Sequence, residues 1–244
     1  PNNGEVLVAT SNPSFDPNLF VNGISQRQYN ALIHSKDRRL FNRFLQGQYP
    51  PGSTIKPIIA LGALEAGIKR HDVSVFCPGF FRLTEAGRPY RCWAEKGHGN
   101  VKMADSIVRS CDVYYYSLAQ KFGIQGLHDS LTLFGLGEKT GVNLPGEKAG
   151  LVPSANWKKE TLGKSWYKGE TLISGIGQGF MLATPMQLAH AVSILASKGN
   201  VKKPHLFRES KHNLLAEVNP RQSNGTNVVL KNQNNWDLVR EAMV

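Results

Sequence analysis

The stretch YPPGSTIKP, residues 49–57, decides how this chain is read. Two prolines and a glycine are turn chemistry, and the apolar run behind them reads as a helix from about Pro57 to Gly67. Ser53 therefore falls at or near a helix N-terminus. Unpaired backbone N–H groups and the positive dipole end favour developing negative charge there. Pro57 suits the first turn, where a missing N–H costs little. Ser53 and Lys56 are three apart and share one face of the turn. A hydroxyl beside an amine in that field is a candidate activated nucleophile. The plain alternative is an N-cap serine next to a surface lysine, because S-x-x-K is a common pattern.

The stronger reading needs companions elsewhere in the chain. Ser110-Cys111-Asp112 is the first. A second hydroxyl near the lysine can relay its proton, and a carboxylate can hold the amine or a substrate backbone. Taken by spacing alone, Ser110 and Asp112 are equally an ordinary helix-start pair. They interrupt a helical region from about Met103 to Phe122. In it, Ala104, Ile107, Val108, Cys111, Tyr115, Leu118, Ala119 and Phe122 share one stripe, with a break expected near Ser110.

These motifs occur together with GHGNVKMADSIVRSCDVYYYSLAQKFGI, LPGE, TLISGIGQGFMLATPMQLAHA and VKKPHL. In that order, and over nearly the whole chain, they resemble the class B penicillin-binding proteins, with Ser-x-Asp fitting the elongation-type subgroup. The resemblance implies an α+β penicillin-binding transpeptidase (serine β-lactamase-like) fold, a helical subdomain on an antiparallel sheet. It implies a peptidoglycan D,D-transpeptidase acting in cell elongation and rod shape. Peptidoglycan stem peptides would be its substrates and β-lactam antibiotics its inhibitors. It also implies a SEDS-type glycosyltransferase and elongation machinery as partners. The domain would be periplasmic, on a protein anchored in the inner membrane.

By motif, Ser53 would be the acylated nucleophile and Lys56 its general base. Ser110 would shuttle the proton to the leaving amine, and Asp112 would order the network. The backbone N–H of Ser53 would supply half of an oxyanion hole. Lys139-Thr140-Gly141 spells the family's third motif but sits in GLGEKTGVNLPGE, which resembles a connecting loop, so it is taken as a decoy. The true K-T-G strand is expected beyond WDLVREAM. Residues 1–244 are accordingly expected to be a partial transpeptidase domain, catalytically incomplete as they stand. Alternatives on the same residues are a β-lactamase-like hydrolase, which needs a water-activating base, and a non-catalytic, zinc-stapled interaction domain.

Cys77, Cys92 and Cys111 are the three cysteines of the chain. One disulfide with one free thiol is the simple reading, and three buried apolar thiols a second. Adding His98 gives a Cys3His set suited to tetrahedral Zn2+. Three of these four lie in an irregular segment, 72–100, that needs a staple; the fourth lies inside Ser-Cys-Asp itself. A structural zinc there would tie the loop to the base of the site.

The rest of the chain bounds the answer. With 41% hydrophobic residues among 244, it can bury a real core. No apolar run in residues 1–244 is long enough to span a membrane and no signal-peptide pattern occurs among them, so a targeting segment is expected outside this stretch. The net charge of +11 raises the question of nucleic acid, but no nucleic-acid module accompanies it and the basic residues are scattered. Gly175-Ile176-Gly177-Gln178-Gly179 lacks the ending of a phosphate loop; the resemblance implies that it lies under the active-site sheet, where close packing needs glycine. Trp166 and Tyr167 read as core anchors or cleft wall. Further expectations are a strand at 5–11, a helical stretch at 25–46, a short helix at 125–134, a Thr184-capped helix to Gly199 and a strand at 227–230.

Overall fold

The computed structural model describes residues 3–206 and 226–244. Its elements are α1 (Gln26–Ile33), α2 (Arg43–Gln46), a 3-10 turn (Gly52–Ile55) and α3 (Lys56–Glu65). Four short strands follow: β1 (Val75–Cys77), β2 (Phe80–Phe81), β3 (Tyr90–Arg91) and β4 (Gly99–Val101). The remainder is α4 (Met103–Val108), α5 (Asp112–Leu133), α6 (Ala155–Leu162), α7 (Lys168–Ser174), α8 (Pro185–Ala196) and α9 (Asn234–Glu241).

The first half of α5 is the axis of the core. Val113, Tyr114, Tyr115, Tyr116, Leu118 and Ala119 are all buried, so this helix is covered on nearly every side. It lies against α3 and α7, and α3 also meets α9. Apolar burial on α3 comes from Ile58, Ile59, Leu61 and Ala63. Gly123, with φ +72, interrupts α5 and separates off a second stretch ending at Leu133, which answers to the short helix expected at 125–134. The start of α8 is a capping box: Thr184 Oγ1 accepts from Gln187 N at 3.2 Å, and Gln187 Oε1 accepts from Thr184 N at 2.8 Å. Among the described residues, no helix is long and apolar enough to cross a membrane.

Several expectations fail for local reasons. Segment 5–11 forms no strand; Glu5 makes an isolated bridge to His205, with Val6 N donating to His205 O at 2.9 Å. The stretch 25–46 is two helices, because the chain turns over 34–42 and α2 restarts on an Asn42 cap. Residues 72–100 are not irregular: β1 pairs with β4 and β2 with β3, both antiparallel. These are the sheets found among the described residues. Segment 227–230 forms no strand, with Val228 N donating to Gly199 O at 2.9 Å.

The helical stripe also breaks. Val108 is 69% exposed, while Met103 and Ser106 carry the burial of α4. Ser110 has φ +49, so α4 and α5 are out of phase and one 3.6-residue period cannot run through both. The break falls where the sequence placed it.

Candidate active site and metal centre

Ser53 lies in the 3-10 turn that leads directly into α3. In such a turn residues i and i+3 eclipse, which stacks Ser53 over Lys56, and Lys56 N closes the turn by donating to Ser53 O. Ser53 is exposed, whereas Lys56 is fully buried at the first position of α3. The turn is seated by Gly52 N, which donates to Gly177 O at 2.8 Å. Gly177 has φ +71, and a Cβ there would overlap the Gly52 backbone. The glycine-rich segment 175–179 thus packs against the serine turn.

This contact carries a prediction. Gly177→Ala is expected to cost about 1–3 kcal/mol, combining left-handed strain with overpacking. Gly163→Ala, at φ +65 with nothing within 4 Å of the added carbon, is expected to cost only the strain, about 1 kcal/mol. Urea unfolding of the two variants side by side measures the difference; equal losses would remove the packing argument.

Lys56 reaches across to the Ser110 turn. Its Nζ donates to Asp112 Oδ1 at 2.6 Å, Ser110 O at 3.0 Å and Ser110 Oγ at 3.1 Å. Three acceptors match the three N–H bonds of an ammonium. The Tyr115 ring lies below, 5.2 Å from Nζ. The Lys56 side chain is 2% exposed and that of Asp112 13%, so this is a buried ion pair. Among the described residues, none forms a hydrogen bond with Ser53 Oγ. In this resting arrangement the amine is engaged by Ser-x-Asp, and Ser53 stands free at the surface above it. The structure therefore brings Ser53, Lys56, Ser110 and Asp112 to one place.

Sequence reasoning missed Trp93. Its backbone N donates to Asp112 Oδ2 at 3.1 Å, and its indole Nε1 donates to Arg109 O at 3.1 Å and Ser110 O at 3.2 Å. The only available signal was its place directly after Cys92.

Lys139-Thr140-Gly141 is tied into its own loop. Thr140 N and Oγ1 donate to Glu147 Oε1 at 2.8 and 2.6 Å, and Gly141 N donates to Glu147 Oε2 at 3.1 Å. No strand forms there. Trp166 and Tyr167 line a cage around the buried Lys158 ammonium, which pairs with Glu170 at 2.6 Å.

The second cluster lies beside the first. The donor atoms of Cys77, Cys92, His98 and Cys111 are all buried and within 4.8 Å of one another. His98 Nδ1 stands 3.6 Å from Cys77 Sγ and 3.5 Å from Cys92 Sγ. All three cysteines are free, so the disulfide reading does not hold here. The β1–β4 and β2–β3 strand pairs build the site: His98 N donates to Cys77 O at 3.0 Å and Cys92 N to Gly79 O at 2.8 Å. Gly79 and Gly97, at φ +94 and +77, make the tight turns between them, and a side chain on Gly97 would strike Cys77 O.

Burial pushes the Cys111 thiol up to about 12. Burial, helped by the Arg109 charge, lowers the His98 imidazole below its usual range, with Asp112 opposing. Three sulfurs and an imidazole thus converge in one buried place. That donor set fits a thiophilic cation in tetrahedral coordination.

The whole chain, residues 1–244, matches a family model described as the penicillin binding protein transpeptidase domain. The peptidoglycan D,D-transpeptidase MrdA of Acinetobacter baumannii is 42% identical over 244 residues, which is all of this chain and 36% of that protein. The chain thus spans about a third of that curated relative's length. A crystal structure of Pseudomonas aeruginosa PBP2 in complex with WCK 5153 superposes with a TM-score of 0.89 at 43% identity, covering 99% of this chain and 54% of that one. Helicobacter pylori PBP2, in a complex with MreC, superposes with a TM-score of 0.89 at 34% identity, covering 99% of this chain and 43% of that one.

Proposed function

The chain belongs to the penicillin-binding protein transpeptidase family, and on that premise we propose that it carries the nucleophile side of a peptidoglycan D,D-transpeptidase site. One observation supports this most directly: a buried Lys56 amine, one 3-10 turn from Ser53, that meets both Ser110 Oγ and Asp112.

The chemistry follows from that arrangement. Ser53 Oγ attacks the carbonyl of a stem peptide's penultimate residue and forms the new C–O bond. Lys56 Nζ, free of its proton at that moment, accepts the hydroxyl proton. Ser110 Oγ, 3.1 Å from Nζ, passes its proton to the departing amine as the C–N bond breaks and takes the one that Lys56 accepted in its place. The acyl-serine is then attacked by an amine of a neighbouring stem peptide, releasing Ser53. The Ser53 backbone N–H, early in its turn, is placed to stabilise the oxyanion. A β-lactam enters by the same first step, and its tethered leaving amine stays attached.

Cys77, Cys92, His98 and Cys111 would hold one Zn2+, whose role is to cross-link the strand pairs to the base of α5. Its bonding would fix Cys111, between Ser110 and Asp112. The working location is the periplasm, on a membrane-anchored protein of the elongation machinery. A SEDS-type glycosyltransferase is its partner by family resemblance, and stem peptides are its substrates.

The test is intact mass of the full-length protein after exposure to a penicillin. One covalent adduct is expected, mapping to the tryptic peptide that contains Ser53 and persisting for many minutes. Rapid turnover would make the protein a hydrolase. Absence of any adduct would leave a non-catalytic domain.

A further inference from the structure

The Ser110–Asp112 turn is gripped from two sides. On one, Lys56 Nζ donates to Ser110 O at 3.0 Å and Asp112 Oδ1 at 2.6 Å. On the other, Trp93 repeats the pattern with neutral donors: indole Nε1 to Ser110 O at 3.2 Å, backbone N to Asp112 Oδ2 at 3.1 Å. Each residue supplies one bond to the same carbonyl and one to opposite oxygens of the same carboxylate.

Trp93 is 66% exposed, so core packing does not explain it. Its ring edge meets His98, with centroids 5.3 Å apart, while its N–H is shared between Arg109 O at 3.1 Å and Ser110 O at 3.2 Å. Ser110 needs such support. Its φ of +49 is a left-handed conformation that a serine holds only where its surroundings impose it.

We propose that Trp93 is a positioning residue for acyl transfer, its two N–H groups setting the Ser110 carbonyl and the Asp112 carboxylate so that Ser110 Oγ and Lys56 Nζ stay in register. The proposal rests on the transpeptidase reading above. Without the indole N–H, the Ser110 carbonyl loses one of its two donors and keeps only Lys56 Nζ as the other. Relaxation of the Ser110–Asp112 turn moves Ser110 Oγ away from Nζ. The reacting groups then misalign while the outer cleft, where a ligand first binds, stays as it was. The effect therefore belongs in the rate of acylation and not in the affinity of the initial complex.

Trp93→Phe keeps a ring and removes the indole donor; 3-benzothienylalanine at the same position removes it with the shape of the bicycle unchanged. Full-length wild type is first mixed with a chromogenic β-lactam in stopped flow, which separates the dissociation constant of the initial complex from the acylation rate constant. The variants follow under the same conditions, with thermal midpoints taken in parallel. Both are expected to acylate about tenfold more slowly, with the dissociation constant and the midpoint little changed. An unaltered acylation rate in the benzothienyl protein overturns the proposal. So does a loss expressed only in the dissociation constant, which would make the indole a ligand contact. A wild type that forms no adduct is read before any variant; it fails the reading of Ser53 itself, and this proposal with it.

Discussion

Lys56→Met is expected to abolish useful acylation and to destabilise the protein, and adding Asp112→Asn is expected to return the stability alone. The two losses have different origins. Removing the base that accepts the Ser53 proton costs about 10²–10⁴-fold in rate. Removing the ammonium also leaves the Asp112 carboxylate, 13% exposed, without the partner that stood 2.6 Å from it. Breaking one side of a buried ion pair typically costs about 3–5 kcal/mol, because the surviving charge stays buried. Methionine has nearly the length of the lysine stem and can lie over the Tyr115 ring that faces Nζ at 5.2 Å, so cavity formation contributes little. The carboxamide that Asp112→Asn brings to the double variant carries no charge, and the Trp93 N–H can still donate to its oxygen. Urea unfolding and time-resolved intact mass read the two quantities separately. If the double variant stays as unstable as Lys56→Met, the destabilisation does not come from a stranded charge. If Lys56→Met acylates at the parental rate, the amine is not the base.

The part of this site that was legible in the sequence is the part encoded locally. Pro50-Pro51-Gly52 fixes a turn, Pro57 suits a first helical turn, and a three-residue spacing puts Ser53 and Lys56 on one face; none of this needs tertiary information. The break at Ser110 was legible because Ser110 and Asp112 set polar side chains into an otherwise apolar helical pattern. The direction of Lys56 was not. Its Nζ turns to residues 110 and 112, a contact made across more than fifty positions, which no local rule encodes. Trp93 escaped for the same reason: a tryptophan in a loop reads as an anchor, and only the fold shows its two N–H groups aimed at one turn. Segment 5–11 alternates as a strand should, yet whether such a pattern becomes a strand depends on a partner. Here the pairing stops after the Glu5–His205 bridge. The exposed Val108 shows the converse error, a periodicity carried through a residue whose left-handed backbone resets the phase.

Cys77→Ser is expected to cut the metal content from one zinc per chain to none, lower the thermal midpoint by on the order of 10 °C, and slow acylation at Ser53. Cys77 is the right residue to change because it belongs to neither catalytic motif. It lies on β1, and its influence on Ser110 and Asp112 runs through the shared centre with Cys111. Loss of a structural metal ranks among the largest single-residue effects, above about 4 kcal/mol, and in a domain of this size each kcal/mol shifts the midpoint by about 2–4 °C. The strand pairs that carry the donors are two and three residues long per strand. Strands that short are held by what they pack against, here α5 and the shared donor cluster. Once they loosen, the Trp93 donors and the Arg109 Nη1 bond to His98 O, 3.1 Å, loosen with them, and the Ser110–Asp112 turn loses the side that Lys56 does not grip. Elemental analysis of protein purified without a histidine tag or added metal measures the first effect, calorimetry the second and intact-mass kinetics the third. Metal-free wild type with a Cys77–Cys92 cross-link would end the zinc assignment. Metal-free Cys77→Ser that acylates normally would separate the two clusters and confine the metal to stability.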